Sequence, residues 1–528
     1  MPATPRARRG YALDAARPAL SAPGPLRSIC IVGGGTAGWI AASMLARLYP
    51  RLSTTLVESD DIGTIGVGES TIPPFLELLR KLGIDEADFV REVGASFKLG
   101  IEFRDWRRLG YSYFHPFGAI GVPTGGGDFY QLWLRAHQAG YARGLQEFAP
   151  ASEMARQGRF APPQQAGGTP LAGAAYALHV DAKRVAAALR RYAEARGVRR
   201  QEGVVEDVAT RPDGFVSHVR LADGREIAAD LFIDCTGFRA LLTGRALDTG
   251  FRDWSHWLLC DRAIAVQTEN AGPPPPYTLA HAQGAGWRWR IPLQHRAGNG
   301  HVFSSRHLSD DEATATLLAQ VEGEPVTQPM PVGFRTGVRD KPWNANVVAI
   351  GLSCGFIEPL ESTAIHLIYR GVDLLHRYMP DGSFAPALRD EYNRRIVADY
   401  EEIRDFIVLH YCTSERDDTA FWRECRAMEL PATLRHRIDL FRASGAMADS
   451  TPEDLFRPVS WQSVLDGMGI RPRRPHPSVD AFDARELAPT LDRAAAALSA
   501  AAARVPSHHD FIRRHCAAQP PARQPGAG

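Results

Sequence analysis

Residues 27–58 read RSICIVGGGTAGWIAASMLARLYPRLSTTLVE, and this stretch decides the fold class. An apolar strand runs into a glycine turn, the turn opens a helix that ends near Pro50, and a second apolar strand closes on Glu58. Two strands around one helix form a βαβ unit, so a mostly parallel sheet begins the fold. Gly33, Gly35 and Gly38 satisfy GxGxxG, with Thr36 and Ala37 between the last two. Such a turn needs a backbone that can approach a pyrophosphate, and the helix N-terminus behind it supplies amide donors. Glu58 stands 25 residues after Gly33, where a carboxylate can accept both ribose hydroxyls. The glycines predict a dinucleotide site without separating FAD from NAD.

Outward from this unit, the chain has 528 residues, 45% of them hydrophobic, enough to bury a large core. Sixty-one Lys and Arg against sixty Asp and Glu leave a net charge of +1, which removes the global electrostatic argument for a nucleic-acid partner. The seven cysteines form no CxxC pair, which points to a reducing compartment and no metal site. Residues 1–26 carry basic residues but no uninterrupted apolar run and are expected to be a flexible leader. With no stretch near 18 uncharged apolar residues, a cytoplasmic protein with no membrane span is expected.

Residues 74–93 carry a helical pattern and open an expected substrate-lining insertion at about 74–175. Residues 179–197 read as a helix with Asp181 as cap candidate, and Asp223-Gly224 signals a hairpin. ADLFIDCTGF is a buried strand running into a turn, and AIAVQTE, WRWRIPL and GHVFSSR are further strands. The expected division is a mixed α/β core over 27–385, a mostly helical region over 386–505 that includes an Ala-rich terminal helix, and a flexible tail over 506–528.

Several segments resemble one family. Asp234-Cys235-Thr236-Gly237 resembles the second cofactor segment of FAD monooxygenase-type folds, which favours FAD. Trp287 and Trp289, within GWRWRIP at 286–292, resemble the WxWxIP signature of flavin-dependent halogenases. GLSCGFIEPLEST at 351–363 resembles the loop carrying that family's catalytic glutamate, and GVGESTIP at 66–73 followed by SFKLG at 96–100 resembles the segment ending in its active-site lysine. Taken singly, two tryptophans at i and i+2 are as well explained by one core face of a strand.

The resemblance implies a flavin-dependent tryptophan or indole halogenase with a Rossmann-like FAD core of the aromatic monooxygenase type and an added helical substrate-side region. In that family reduced FAD, oxygen and bromide or chloride give a hypohalous acid equivalent, and a separate NAD(P)H-dependent flavin reductase supplies FADH2. Lys98 would hydrogen-bond or covalently carry the electrophilic halogen, and Glu361 would orient it and stabilise charge developing on the arene. Gly33, Gly35, Thr36, Ala37, Gly38, Glu58, Asp234, Gly237 and Ser362 would serve the cofactor, and Thr363 and Ala364 the halide. Ala364 departs from the glycine common in tryptophan halogenases. His115 and Phe117 match a HisxPhe element of the indole pocket, with Tyr411, Phe421 and Trp422 as its expected second wall. Tyr411-Cys412 departs from a paired-tyrosine element that holds free tryptophan, so the chain looks closer to broad indole halogenases, with free or peptide-bound tryptophan as the alternative substrates. A homodimer is compatible with the resemblance. An ordinary flavin monooxygenase or a noncatalytic flavoprotein are the competing classes.

Overall fold

A computed structural model describes residues 24–62, 69–121, 128–448, 450–451 and 453–518. The opening strand β1 (Ser28–Val32), helix α1 (Thr36–Leu48) and strand β2 (Ser53–Glu58) form the expected βαβ unit. β1 has no polar alternation because both its faces are covered, as in other parallel sheets. It pairs in parallel with β2 on one side and with Leu231–Asp234 on the other. Arg199–Glu202 extends the sheet beyond β2, and Val347–Ala349 with Trp343–Asn344 extends it beyond Leu231–Asp234. α1 packs against the helices Ala182–Glu194 and Ala364–Arg377, so the glycine turn opens at the carboxyl end of the central strands.

A second, seven-stranded sheet runs Met330–Gly333, Arg262–Thr268, Ala297–Phe303, Gly286–Pro292, Thr278–Gln283, Gly100–Arg104 and Ser112–Pro116. The last two strands come from the expected insertion, so that region completes the second sheet. The tryptophan motif sits near its middle, with Trp287 and Trp289 both buried on one face, 6.1 Å apart. A small sheet of Glu69–Ser70, Ala177–Val180 and Ser96–Lys98 completes the surroundings of the site. Residues 66–68 of the glycine-rich motif lie outside the described residues.

Three boundaries differ from expectation. The pattern over 74–93 is two helices, Pro74–Leu82 and Glu86–Val93, because Gly83 turns left-handed (φ +71°) and ends the first. His179 belongs to the strand Ala177–Val180, and Asp181 caps the following helix by accepting from the Lys183 and Arg184 amides. The expected flexible tail is corrected over 506–518. Ser507 caps a helix, His508–His515, whose Phe511 meets the Phe97 ring edge-on at 5.3 Å. The remaining helices are led by Pro386–Cys412 and end with Ala484–Arg504. Among the described residues no helix is long and apolar enough to cross a membrane.

Candidate active site

A cavity of about 440 Å³ opens over the glycine turn, walled by Gly33, Gly35, Thr36, Ala37, Glu58 and Gly237. Gly33 takes φ +112°, and a Cβ there would overlap the Cys235 carbonyl. A Cβ on Gly38 would overlap the Gly33 carbonyl, so that glycine brings helix and turn together without reaching the cavity. Glu58 is fixed by Arg200, whose Nε donates to Oε1 at 2.7 Å, while its other oxygen borders Gly34. A bare backbone turn, a helix N-terminus and an anchored carboxylate are the groups a dinucleotide needs, so the residues fit FAD. Asp234 is not on this wall. Its carboxylate is consumed by the amides of Thr236, Leu242 and Thr243 and by the Thr236 hydroxyl, which shape the turn that carries Gly237.

A second cavity, about 1050 Å³, is walled in part by His115, Phe117 and Glu361. Glu361 belongs to this wall and Ala364 to the first, so residues 361–364 form the partition between the two cavities. Within that partition Ser362 adopts φ +62°, a left-handed conformation that costs a non-glycine residue about 1 kcal/mol or more. The strained turn aims Glu361 one way while its own hydroxyl faces Lys98. Thr363, at the start of the helix Ala364–Arg377, keeps a buried hydroxyl with no hydrogen-bond partner. The expected halide residues thus stand between the two cavities.

Lys98 reaches this point because its strand alternates. Phe97 turns into an aromatic core, stacked on Phe160 at 4.2 Å, and Lys98 points the opposite way. Its fully buried ammonium donates to the Thr71 carbonyl at 3.1 Å and to the Ser362 hydroxyl at 2.9 Å, and lies 5.0 Å from the centre of the Phe117 ring. Ser362, expected at the cofactor, is therefore bonded to the lysine. Burial pulls Lys98 down to about 7, against the opposing pull of Glu361.

Glu361 is as deeply buried, yet it remains a carboxylate. Burial works to raise it, but the charges and hydrogen bonds of His115 and His410 win and hold it at about 2. His115 Nδ1 lies 2.9 and 3.1 Å from its two oxygens, and His410 Nε2 lies 3.1 Å from Oε1, off the line of a hydrogen bond. Glu358, three residues earlier, is instead pushed up to about 7 by burial although Trp287 Nε1 and the Tyr411 hydroxyl donate to it at 3.2 and 3.0 Å. Environment alone separates the two carboxylates, and only Glu361 faces the large cavity.

The expected second wall of the substrate pocket requires correction. Tyr411, Phe421 and Trp422 are fully buried in an aromatic cluster with Trp106 behind Glu358, and none lines the cavity beside Glu361. Trp422 spends its indole N–H on the Gln283 carbonyl at 2.8 Å. Sequence reasoning missed His410. Its neighbour Tyr411 drew attention as a pocket residue, but consecutive residues of a helix point about 100° apart, and it is His410 that turns toward Glu361.

Comparison with known proteins gives one answer. The model of the tryptophan halogenase family matches residues 28–484. Tryptophan 7-halogenase RebH of Lentzea aerocolonigenes is 36% identical over 492 residues, covering 86% of this chain and 92% of RebH. Two solved structures are closely similar. Xcc4156, a flavin-dependent halogenase from Xanthomonas campestris, is 45% identical with a TM-score of 0.90 over 94% of this chain and 100% of its own. BrvH, a flavin-dependent halogenase from Brevundimonas sp. BAL3, is 44% identical with a TM-score of 0.89 over 93% and 99%.

Proposed function

The chain belongs to the tryptophan halogenase family, and on that premise we propose that it halogenates an indole-like aromatic carbon with FADH2, oxygen and bromide or chloride, a separate NAD(P)H-dependent reductase supplying the reduced flavin. The observation that carries this reading is the placement of Lys98, Ser362 and Glu361 at the partition between a dinucleotide cradle and an aromatic-walled cavity. Gly33, Gly35 and Glu58 would hold reduced FAD, which when bound would supply the electrons that activate oxygen as the oxidant of halide.

Lys98 suits the task of holding that oxidant. Near neutral pH its side chain is divided between ammonium and amine, and it can donate a proton to an oxygen centre or accept a halogen at Nζ. Glu361 is held at about 2, which makes it a weak base but a lasting anion. It would stabilise the positive charge that grows on the arene in the transition state, an effect enlarged by its exclusion from water. His115 fixes its direction, and the Phe117 face offers a plane on which an aromatic substrate can rest close to the Lys98 nitrogen.

Bare indole is the leading substrate reading. A second, an indole carried on free tryptophan or a peptide, draws on the cavity's volume of about 1050 Å³. That lies just above the roughly 300–1,000 Å³ typical of small-molecule sites. Mass spectrometry of reactions containing FAD, a flavin reductase, NADH, oxygen and bromide, with indole, tryptophan and a tryptophan-containing peptide tested separately, decides between them. A bromine isotope pair on indole that vanishes in Lys98→Ala supports the proposal. A product carrying one added oxygen and no halogen would overturn it in favour of a monooxygenase.

A further inference from the structure

Two histidines bracket Glu361, and their ring nitrogens are not equivalent. His410 lies in the helix Pro386–Cys412, and its Nδ1 is 2.9 Å from the Phe406 carbonyl. A carbonyl oxygen can only accept, so Nδ1 must carry a proton. In a neutral imidazole that leaves Nε2 as a lone pair, yet Nε2 stands 3.1 Å from Glu361 Oε1 with no other partner. A lone pair that close to a carboxylate oxygen in a dry interior is repelled, and the contact is favourable only if the ring carries its second proton. His115 Nδ1 already donates to the same carboxylate. Glu361 is thus hydrogen-bonded by one imidazole and faced at 3.1 Å by the ring nitrogen of a second, the surroundings of an ionised carboxylate.

We propose that His410 is held as an imidazolium whose charge cancels that of Glu361, and that this cancellation lets Lys98 lose its proton. His410 is on this view a positioning residue, acting on the reacting lysine through Glu361. The inference rests on the halogenase reading for its consequence, although the proton assignment does not. Its physical basis is that a bare carboxylate near a buried ammonium favours the charged form, while a carboxylate already paired with a cation does so far less.

The groups facing this pair are few. Glu361 comes from the turn Pro359–Glu361, and His115 and Tyr113 from the strand Ser112–Pro116. Lys98 comes from the strand Ser96–Lys98, with His179 beyond it on Ala177–Val180. Burial and then Glu361 raise the Tyr113 phenol, so it stays neutral. Burial and then Lys98 lower His179, which is neutral as well. The other neighbours of the His410 ring are aromatic, with Phe103, Phe406 and Trp106 centred 4.7, 5.5 and 5.9 Å away. Of these groups only His115, on the same carboxylate, can share the proton.

The first test reads the proton directly. Full-length protein labelled with 15N-histidine is followed by NMR from about pH 6 to pH 9, across and above the range where an ordinary histidine loses its charge. His410→Gln identifies the signals. The expected result is one imidazole, absent from the variant, with both ring nitrogens protonated at neutral pH. An unprotonated Nε2 at neutral pH would overturn the proposal. The second test is the pH dependence of halogenation. Glutamine keeps an N–H donor for Glu361 but not the charge, so the limb in which Lys98 deprotonates should move up by about one pH unit in His410→Gln. A uniform loss of rate with the limb unmoved would reduce His410 to a structural role and refute the link to Lys98. If no halogenated product forms at all, the functional reading falls while the NMR result still decides the proton.

Discussion

Replacing Lys98 by methionine should abolish halogenation and at the same time stabilise the fold. Methionine has nearly the same length and no charge to bury. The lysine is drawn from 10.5 to about 7, and at about 1.36 kcal/mol per pH unit its protonated form costs the folded state about 5 kcal/mol. Against this, Lys98→Met leaves the Thr71 carbonyl and the Ser362 hydroxyl without their donor, a loss of about 1–3 kcal/mol. The net gain below pH 7 is therefore about 2–4 kcal/mol. Its pH dependence is the sharper signature. Because the folded value lies below the unfolded one, the folded state binds fewer protons between about pH 7 and 10.5, and wild-type stability rises with pH through that window. The advantage of methionine should shrink over the same interval. Denaturant titrations of both proteins at pH 6, about 7.5 and about 9 measure it through the midpoint at constant slope. A variant that is less stable than wild type at pH 6, or whose difference does not narrow on raising the pH, refutes the reasoning.

Other outcomes follow from the same geometry. Glu361→Gln should lower halogenation by about a hundredfold or more while flavin binding stays unchanged in a fluorescence titration, since the side chain faces the large cavity and not the cradle. Gly33→Ala should destroy flavin retention and lower the melting temperature, because φ +112° and the Cys235 carbonyl leave no room for a methyl group. Phe117→Ala should raise KM for aromatic substrates several-fold. Trp422→Phe should instead cost about 1–3 kcal/mol of stability and leave KM and the site of halogenation on the ring unmoved, as expected of a core residue that does not line the cavity.

The sequence carried the fold wherever local chemistry dictated it. The turn at Gly33 to Gly38 announces a βαβ unit because few other backbones use that spacing, and Asp223-Gly224 announces a hairpin that forms between Val216–Leu221 and Glu226–Ala228. It carried less where docking decides. His508–His515 is too polar to read as a helix, and its buried side chains, His508, Phe511 and Ile512, dock it. Lys98 and Glu361 were legible through the segments around them, as was His115. Their relation was not. Which of His410 and Tyr411 meets Glu361 depends on how one long helix is rolled against the sheet, and both residues have the chemistry to do so. Tyr411 goes to Glu358 because Trp287 holds that carboxylate on the opposite side of the turn.

The docking of His508–His515 has a consequence for how the protein is made. His508 Nε2 accepts from the Phe97 amide, the residue beside Lys98, across 411 positions of chain. At about 5–20 residues per second, roughly 20–80 s of synthesis separate the two. The strand bearing Lys98 therefore gains this hydrogen bond long after its pairing partner Ala177–Val180 has been made. A nascent chain can therefore pair the Lys98 strand with Ala177–Val180 and bring Lys98 to Ser362 well before the Phe97 amide finds its partner in His508.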